Sequence, residues 1–127
     1  MAEHILILDD DFSTLEMLRM ALEGEGLYQV TTADTLFEDI GEIERLHPDL
    51  ILLDFKFGGR ELGWNYLQKL KLHPATTTIP VILVTAARED MREQEKMLLQ
   101  QDIPVLYKPF DLAELLALVE QQLAHGS

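Results

Sequence analysis

Cysteine is absent from the 127 residues, which removes disulfides, thiolate zinc sites and cysteine nucleophiles together. No apolar run approaches the roughly 20 residues needed to cross a bilayer. Met1-Ala2-Glu3-His4 lacks the basic, then apolar, then small-residue layout of a signal peptide, which points to the cytoplasm. Positive charge is scarce as well, with 10 Lys and Arg against 23 Asp and Glu and a formal net charge of -13. Phosphate-backbone binding needs clustered cations that release counterions, so direct nucleic-acid binding is not expected. Most of the acidity reads as a solvated surface. No internal repeat, low-complexity tract or linker divides the chain, so its length predicts one domain over residues 1–124 with a frayed end at 125–127.

What is present alternates between two periods. Short apolar, β-branched runs at 4–9, 28–32, 49–54, 79–85 and 103–107 predict strands. Between them lie helical patterns. Ser13 or Thr14 can cap the first, whose apolar face is Leu15, Met17, Leu18, Ala21 and Leu22, and which stops at Gly24 and Gly26. The second spans 35–46 with Leu36, Phe37, Ile40, Ile43 and Leu46, ending before Pro48. The third spans 63–72, where Trp64 reads as a core aromatic. The fourth covers 88–100 with a weaker face of Met91, Met97, Leu98 and Leu99, and Asp111 can cap the last, with its stripe of Leu112, Leu115, Leu116, Val119 and Leu123. Alternating strands and helices predict a doubly wound α/β domain with a parallel sheet covered on both faces.

In such a sheet, ligands bind at the carboxyl ends of the strands, where residues distant in sequence converge. Asp9 and Asp10 close the run from Ile5, Asp54 closes the run from Leu50, Thr85 closes Val81–Val84, and Lys108 follows Pro104–Tyr107. Adjacent carboxylates converge only where a strand has ended and the chain is turning. Clustered carboxylates raise one another's pKa unless a cation neutralises them. Oxygen ligands without nearby His or Cys favour Mg²⁺, which usually accompanies phosphate. A carboxylate can accept a phosphoryl group, with Asp54 the natural acceptor, Lys108 neutralising phosphoryl oxygens and the Thr85 hydroxyl donating to one. A strand-terminal Asp or a Lys-Pro pair is commonplace singly; the pattern across consecutive strand ends carries the signal.

Four segments together, Ile5 to Asp11, His47 to Asp54, Ile79 to Ala86 and Tyr107 to Phe110, resemble the receiver domain of bacterial two-component response regulators. The resemblance spans essentially the whole chain and implies a stand-alone, CheY-like (βα)5 fold of the flavodoxin-like type with strand order 2-1-3-4-5. It implies that Asp54 accepts phosphoryl from a histidine kinase or histidine phosphotransfer protein, with Asp10, Asp54 and the backbone carbonyl of Lys56 on Mg²⁺ and Asp9 acting largely through water. Thr85 and Lys108 would contact the phosphoryl group, and a cis peptide would precede Pro109. The register Asp9–Asp10, rather than Asp10–Asp11, follows from matching Met17, Leu18, Ala21 and Leu22 to the family's buried first-helix face, leaving Asp11 as a turn residue. The implied output is partner binding through the fourth helix, fifth strand and fifth helix, or pairing with a second copy of the chain.

Departures from the family pattern concentrate around the acceptor. The run Phe55 to Gly63 lacks the usual Pro-Gly turn and is one residue longer. Lys56 and Ala87 stand at positions that tune phosphoryl lifetime in the family, and Val105 stands where an aromatic switch residue is usual. Tyr107 does not replace that aromatic, because it faces the same side one pleat further along. Output then runs through helix or loop shifts, or phosphorylation changes the structure little.

Gly58-Gly59 reads as a turn, since no Gly-Lys-Ser/Thr follows to make a phosphate loop. His4, His47, His73 and His125 lack ligand spacing. A haloacid-dehalogenase-like phosphatase would need a second Asp where Lys56 stands. The alternative to a phosphorylation switch is a pseudo-receiver, an interaction module regulated by binding alone; no enzyme activity is expected beyond the domain's own phosphorylation and dephosphorylation.

Overall fold

A computed structural model describes residues 2–86 and 91–126. The chain runs β1 (Glu3–Leu8), α1 (Phe12–Glu23), β2 (Tyr28–Ala33), α2 (Gly41–Leu46), β3 (Leu50–Asp54), α3 (Leu62–Leu72), β4 (Val81–Thr85), α4 (Glu95–Gln100), β5 (Val105–Tyr107) and α5 (Leu112–Gly126). All strand pairs are parallel, in the order β2-β1-β3-β4-β5. The doubly wound α/β prediction and its strand order are met.

Strand alternation divides the core into two layers. Leu6, Leu8, Ile51, Leu53, Val81 and Leu83 face α3 and the α2 and α4 region, joined by Ile43, Tyr66, Leu67, Leu70 and Leu98. Ile5, Ile7, Leu50, Leu52, Ile82, Val84 and Leu106 face the other way, onto Leu15, Leu18 and Leu22 of α1 and Leu115, Val119 and Leu123 of α5. Trp64 is half-buried against the first layer, as a core aromatic should be. The His4 ring bridges the Leu46 carbonyl at 2.9 Å and the Thr31 hydroxyl at 2.7 Å, tying β1 to β2 and to the end of α2.

Several elements differ from expectation for identifiable reasons. The cap of α1 is Asp11, whose carboxylate accepts the Ser13 amide at 3.0 Å and the Thr14 hydroxyl at 3.1 Å, rather than Ser13 or Thr14 themselves. Met17 is exposed, so the buried stripe of α1 is Leu15, Leu18 and Leu22. The helix expected over 35–46 begins only at Gly41: Asp39 turns its carboxylate onto the Gly41 amide at 2.9 Å, and Leu36, Phe37 and Ile40 pack on the core from irregular chain. Of the helix expected over 88–100, residues 88–90 lie outside the described residues, 92–94 form a turn, and α4 starts only at Glu95; Met91 before it and Leu98 within it are buried, while Met97 and Leu99 are exposed. Pro80 and Pro104 lack an amide for the ladder and stand before β4 and β5, which shortens both strands. Helix α5 continues through His125 to Gly126, past the point where fraying was expected.

Candidate functional site

The sheet order reverses between β1 and β3, and a crevice opens outside their carboxyl ends. The Asp9 amide makes the last bond of the β1–β2 ladder, to the Ala33 carbonyl at 3.2 Å, and the chain then turns, which lets Asp9 and Asp10 converge on Asp54 at the end of β3. Asp9, Asp10 and Asp54 each offer an oxygen, and these oxygens all lie within 4.8 Å of one another. Asp10, Asp54, Lys56, Thr85 and Lys108 line one cavity of about 210 Å³, together with Asp11, Gly59 and Ala86.

Each side chain is held by its own local structure. Asp9 is buried; it accepts the Asp11 amide at 2.9 Å on Oδ1 and the Lys108 ammonium at 3.0 Å on Oδ2. The same ammonium stands 3.8 Å from Asp54 Oδ2. Lys108 reaches the site because its amide donates to the Thr85 carbonyl at 2.9 Å, extending the β4–β5 ladder by one residue, and the Lys108–Pro109 peptide is cis, as the resemblance implied. Thr85 is 1% exposed and ends β4 beside Tyr107. Asp54 Oδ1 accepts a long bond of 3.4 Å from the Lys56 amide. Asp11, the α1 cap, is kept below the ordinary carboxylate range chiefly by the Thr14 hydroxyl and next by the Ser13 amide.

The electrostatics leave the cluster short of positive charge. Burial, and then the Asp9 carboxylate, push Asp54 up to about 7 against the opposing pull of Lys108. The carboxylates of Asp9, Asp10 and Asp54 outnumber the Lys108 ammonium that pairs with Asp9 and Asp54. An all-oxygen donor set short of positive charge fits a hard divalent cation such as Mg²⁺.

The loop after Asp54 supplies what the sequence did not reveal. Phe57 and Arg60 form a two-residue hairpin, and the Gly58 amide at its tip donates to Asp10 Oδ2 at 2.7 Å. Gly63, the second residue of α3, lies directly against the acceptor's backbone, where a Cβ would fall 1.8 Å from the Asp54 carbonyl oxygen. The glycines were readable as a turn and a helix start; their contacts across the site were not. Val105 and Tyr107 both pack on the first core layer, and the Tyr107 hydroxyl donates to Glu95 of α4 at 3.0 Å. Ala87 lies outside the described residues.

Residues 5–120 match the response regulator receiver domain family. The chain belongs to that family. Among relatives of this receiver domain, a 14.6 kDa protein of Leptolyngbya boryana is 36% identical over 118 residues, covering 92% of this chain and 87% of that protein. The phosphate regulon transcriptional regulatory protein PhoB of Escherichia coli is 31% identical over 120 residues, covering 94% of this chain and 51% of PhoB, so the receiver spans about half of that longer relative. Among solved structures, the receiver domain of the sensor histidine kinase PA1611 from Pseudomonas aeruginosa superposes with a TM-score of 0.79 at 22% identity, covering 98% of this chain and 99% of that one. That structure holds a magnesium ion coordinated in its active-site cleft. Among the described residues of this receiver, no helix is long and apolar enough to cross a membrane.

Proposed function

We propose that this receiver is a phosphorylation-dependent signalling switch in which Asp54 accepts a phosphoryl group from a histidine kinase or histidine phosphotransfer protein. The observation that carries the reading is the convergence of Asp9, Asp10 and Asp54 within 4.8 Å, with the Lys108 ammonium 3.0 Å from Asp9 and 3.8 Å from Asp54. A carboxylate oxygen of Asp54 attacks phosphorus; an O–P bond forms as the donor's P–N bond breaks, and the electron pair stays on the departing imidazole.

Asp10, Asp54 and the Lys56 carbonyl would hold Mg²⁺, with Asp9 acting through water. When bound, Mg²⁺ supplies compact positive charge against the phosphoryl oxygens. Lys108 and the Thr85 hydroxyl engage the remaining oxygens, and ion pairing to Asp9 keeps the ammonium aimed at the acceptor. Output passes to a protein partner through the face built from α4, β5 and α5, or through pairing of two copies of the chain, with the cytoplasm as the site of action. The Tyr107–Glu95 hydrogen bond links two elements of that face.

Intact-mass measurement after incubation with acetyl phosphate and Mg²⁺ tests the reading. One phosphoryl adduct is expected, absent from Asp54→Asn and from metal-chelated samples. Neither adduct nor Mg²⁺ uptake would overturn it in favour of the pseudo-receiver.

A further inference from the structure

Of the three clustered carboxylates, Asp10 is the exposed one. Asp9 is fixed by the Asp11 amide and by Lys108, and Asp54 sits at the end of a buried strand. An exposed Asp rotates freely and loses that freedom on taking up a cation. Here the Gly58 amide, 48 residues away in sequence, holds Asp10 Oδ2 at 2.7 Å.

The hairpin that presents this amide is closed by two backbone hydrogen bonds. The Phe57 amide donates to the Arg60 carbonyl at 2.9 Å and the Arg60 amide returns to the Phe57 carbonyl at 3.1 Å. Gly58 and Gly59 have φ of 60° and 77°, and positive φ at both central residues is the signature of a type I′ turn. One arm is anchored by Phe57, which is buried in the first core layer. The other runs into α3, where the Gly63 amide donates to the Phe55 carbonyl at 3.0 Å.

We propose that the Phe57–Arg60 hairpin sets the divalent-cation affinity of the site, with Gly58 a positioning residue whose amide holds Asp10 in its binding orientation. This rests on the cation site proposed above. One amide occupies part of one carboxylate oxygen's acceptor capacity and leaves the rest for the cation. Orienting a ligand from behind in this way is commonly worth about 10- to 100-fold in metal affinity. The turn is closed by backbone bonds alone, so its geometry depends on residues that accept positive φ.

Nothing lies within 4 Å of a Cβ added at Gly58 or at Gly26, a turn glycine after α1 with φ of 72°, so substitution at either acts through φ rather than crowding. Calorimetric Mg²⁺ titration at constant ionic strength, with thermal melts in EDTA, separates positioning from stability. Gly58→Val is expected to weaken Mg²⁺ binding roughly tenfold and Gly58→Ala about threefold. Gly58→Asn, which makes the Asn-Gly pair favoured in type I′ turns, is expected to recover affinity to within about twofold of wild type. Gly26→Val is expected to lower the melting temperature with Mg²⁺ affinity unchanged. Equal Mg²⁺ affinity in wild type and both Gly58→Ala and Gly58→Val would overturn the inference while leaving the cation site standing; the alanine variant decides it should the valine variant not fold. No Mg²⁺ uptake by wild type would overturn the cation site and the inference together.

Discussion

Asp54 is buried beside a second carboxylate, and its pKa of about 7 ties the protein's stability to pH. Burial raises this pKa above the ordinary carboxylate value of 3.8, so the folded protein binds more protons than the unfolded chain between those values. Its contribution to stability is therefore fullest below the lower value and is lost as pH rises through the upper one. In EDTA, Asp54→Asn is expected to raise the melting temperature at pH 8 by roughly 3 °C or more and to flatten its fall between pH 5 and 8, as read by melts across that range. Lys108→Ala leaves the buried Asp9 carboxylate without its cation and is expected to cost about 2 kcal/mol in urea unfolding. The residues in these experiments were visible in the sequence because each ends a strand or follows one. Gly58 was not, because its part is played by a backbone amide and depends on a turn whose reach over Asp10 no local pattern encodes.

The elements were best foreseen where a sustained period governs them. Strands β1, β3 and β4 have buried, closely packed cores and read as continuous apolar runs, as strands covered on both faces should. Helix α1 was foreseen as an element, but its face was read too wide. Leu18→Ala is therefore expected to cost about 3 kcal/mol and Met17→Ala less than about 0.5 kcal/mol in urea unfolding, since Leu18 is fully buried and Met17 is 49% exposed. In the α2 region apolar spacing persisted through 36–46, but core contact required only that Leu36, Phe37 and Ile40 reach inward, and irregular chain does that. The junction of β3 and α3 is the least forgiving of these places. Gly63→Ala puts a methyl group into the Asp54 carbonyl and is expected to cost roughly 3 kcal/mol or more, with a fall in acetyl-phosphate labelling among molecules that remain folded.

At the scale of the whole molecule, the strand order places the site. Moving outward from β1 in opposite directions, toward β2 and toward β3, opens the crevice that Asp9, Asp10 and Asp54 occupy. The doubly wound parallel class was legible because strands alternate with helices, and the strand order followed from the receiver resemblance, while the irregular approach to α2 escaped because nothing local distinguishes a packed loop from a helix with the same apolar residues. A net charge of -13 acts against compaction through self-repulsion, which added salt screens. Raising NaCl from about 0.05 M to about 0.5 M is expected to raise the melting temperature in EDTA by a few degrees. At matched ionic strength, millimolar Mg²⁺ is expected to raise it further in wild type and not in Asp10→Asn, because a cation that binds the folded state stabilises by mass action.

Trp64 is the chain's sole tryptophan, and it follows directly on the glycine packed against the acceptor's backbone. Its indole therefore has no competing chromophore of its kind elsewhere in the fold. Any shift in its emission when a cation or a phosphoryl donor is added reports on the surroundings of that one indole, so the molecule carries a native optical probe one residue from the glycine packed on its acceptor.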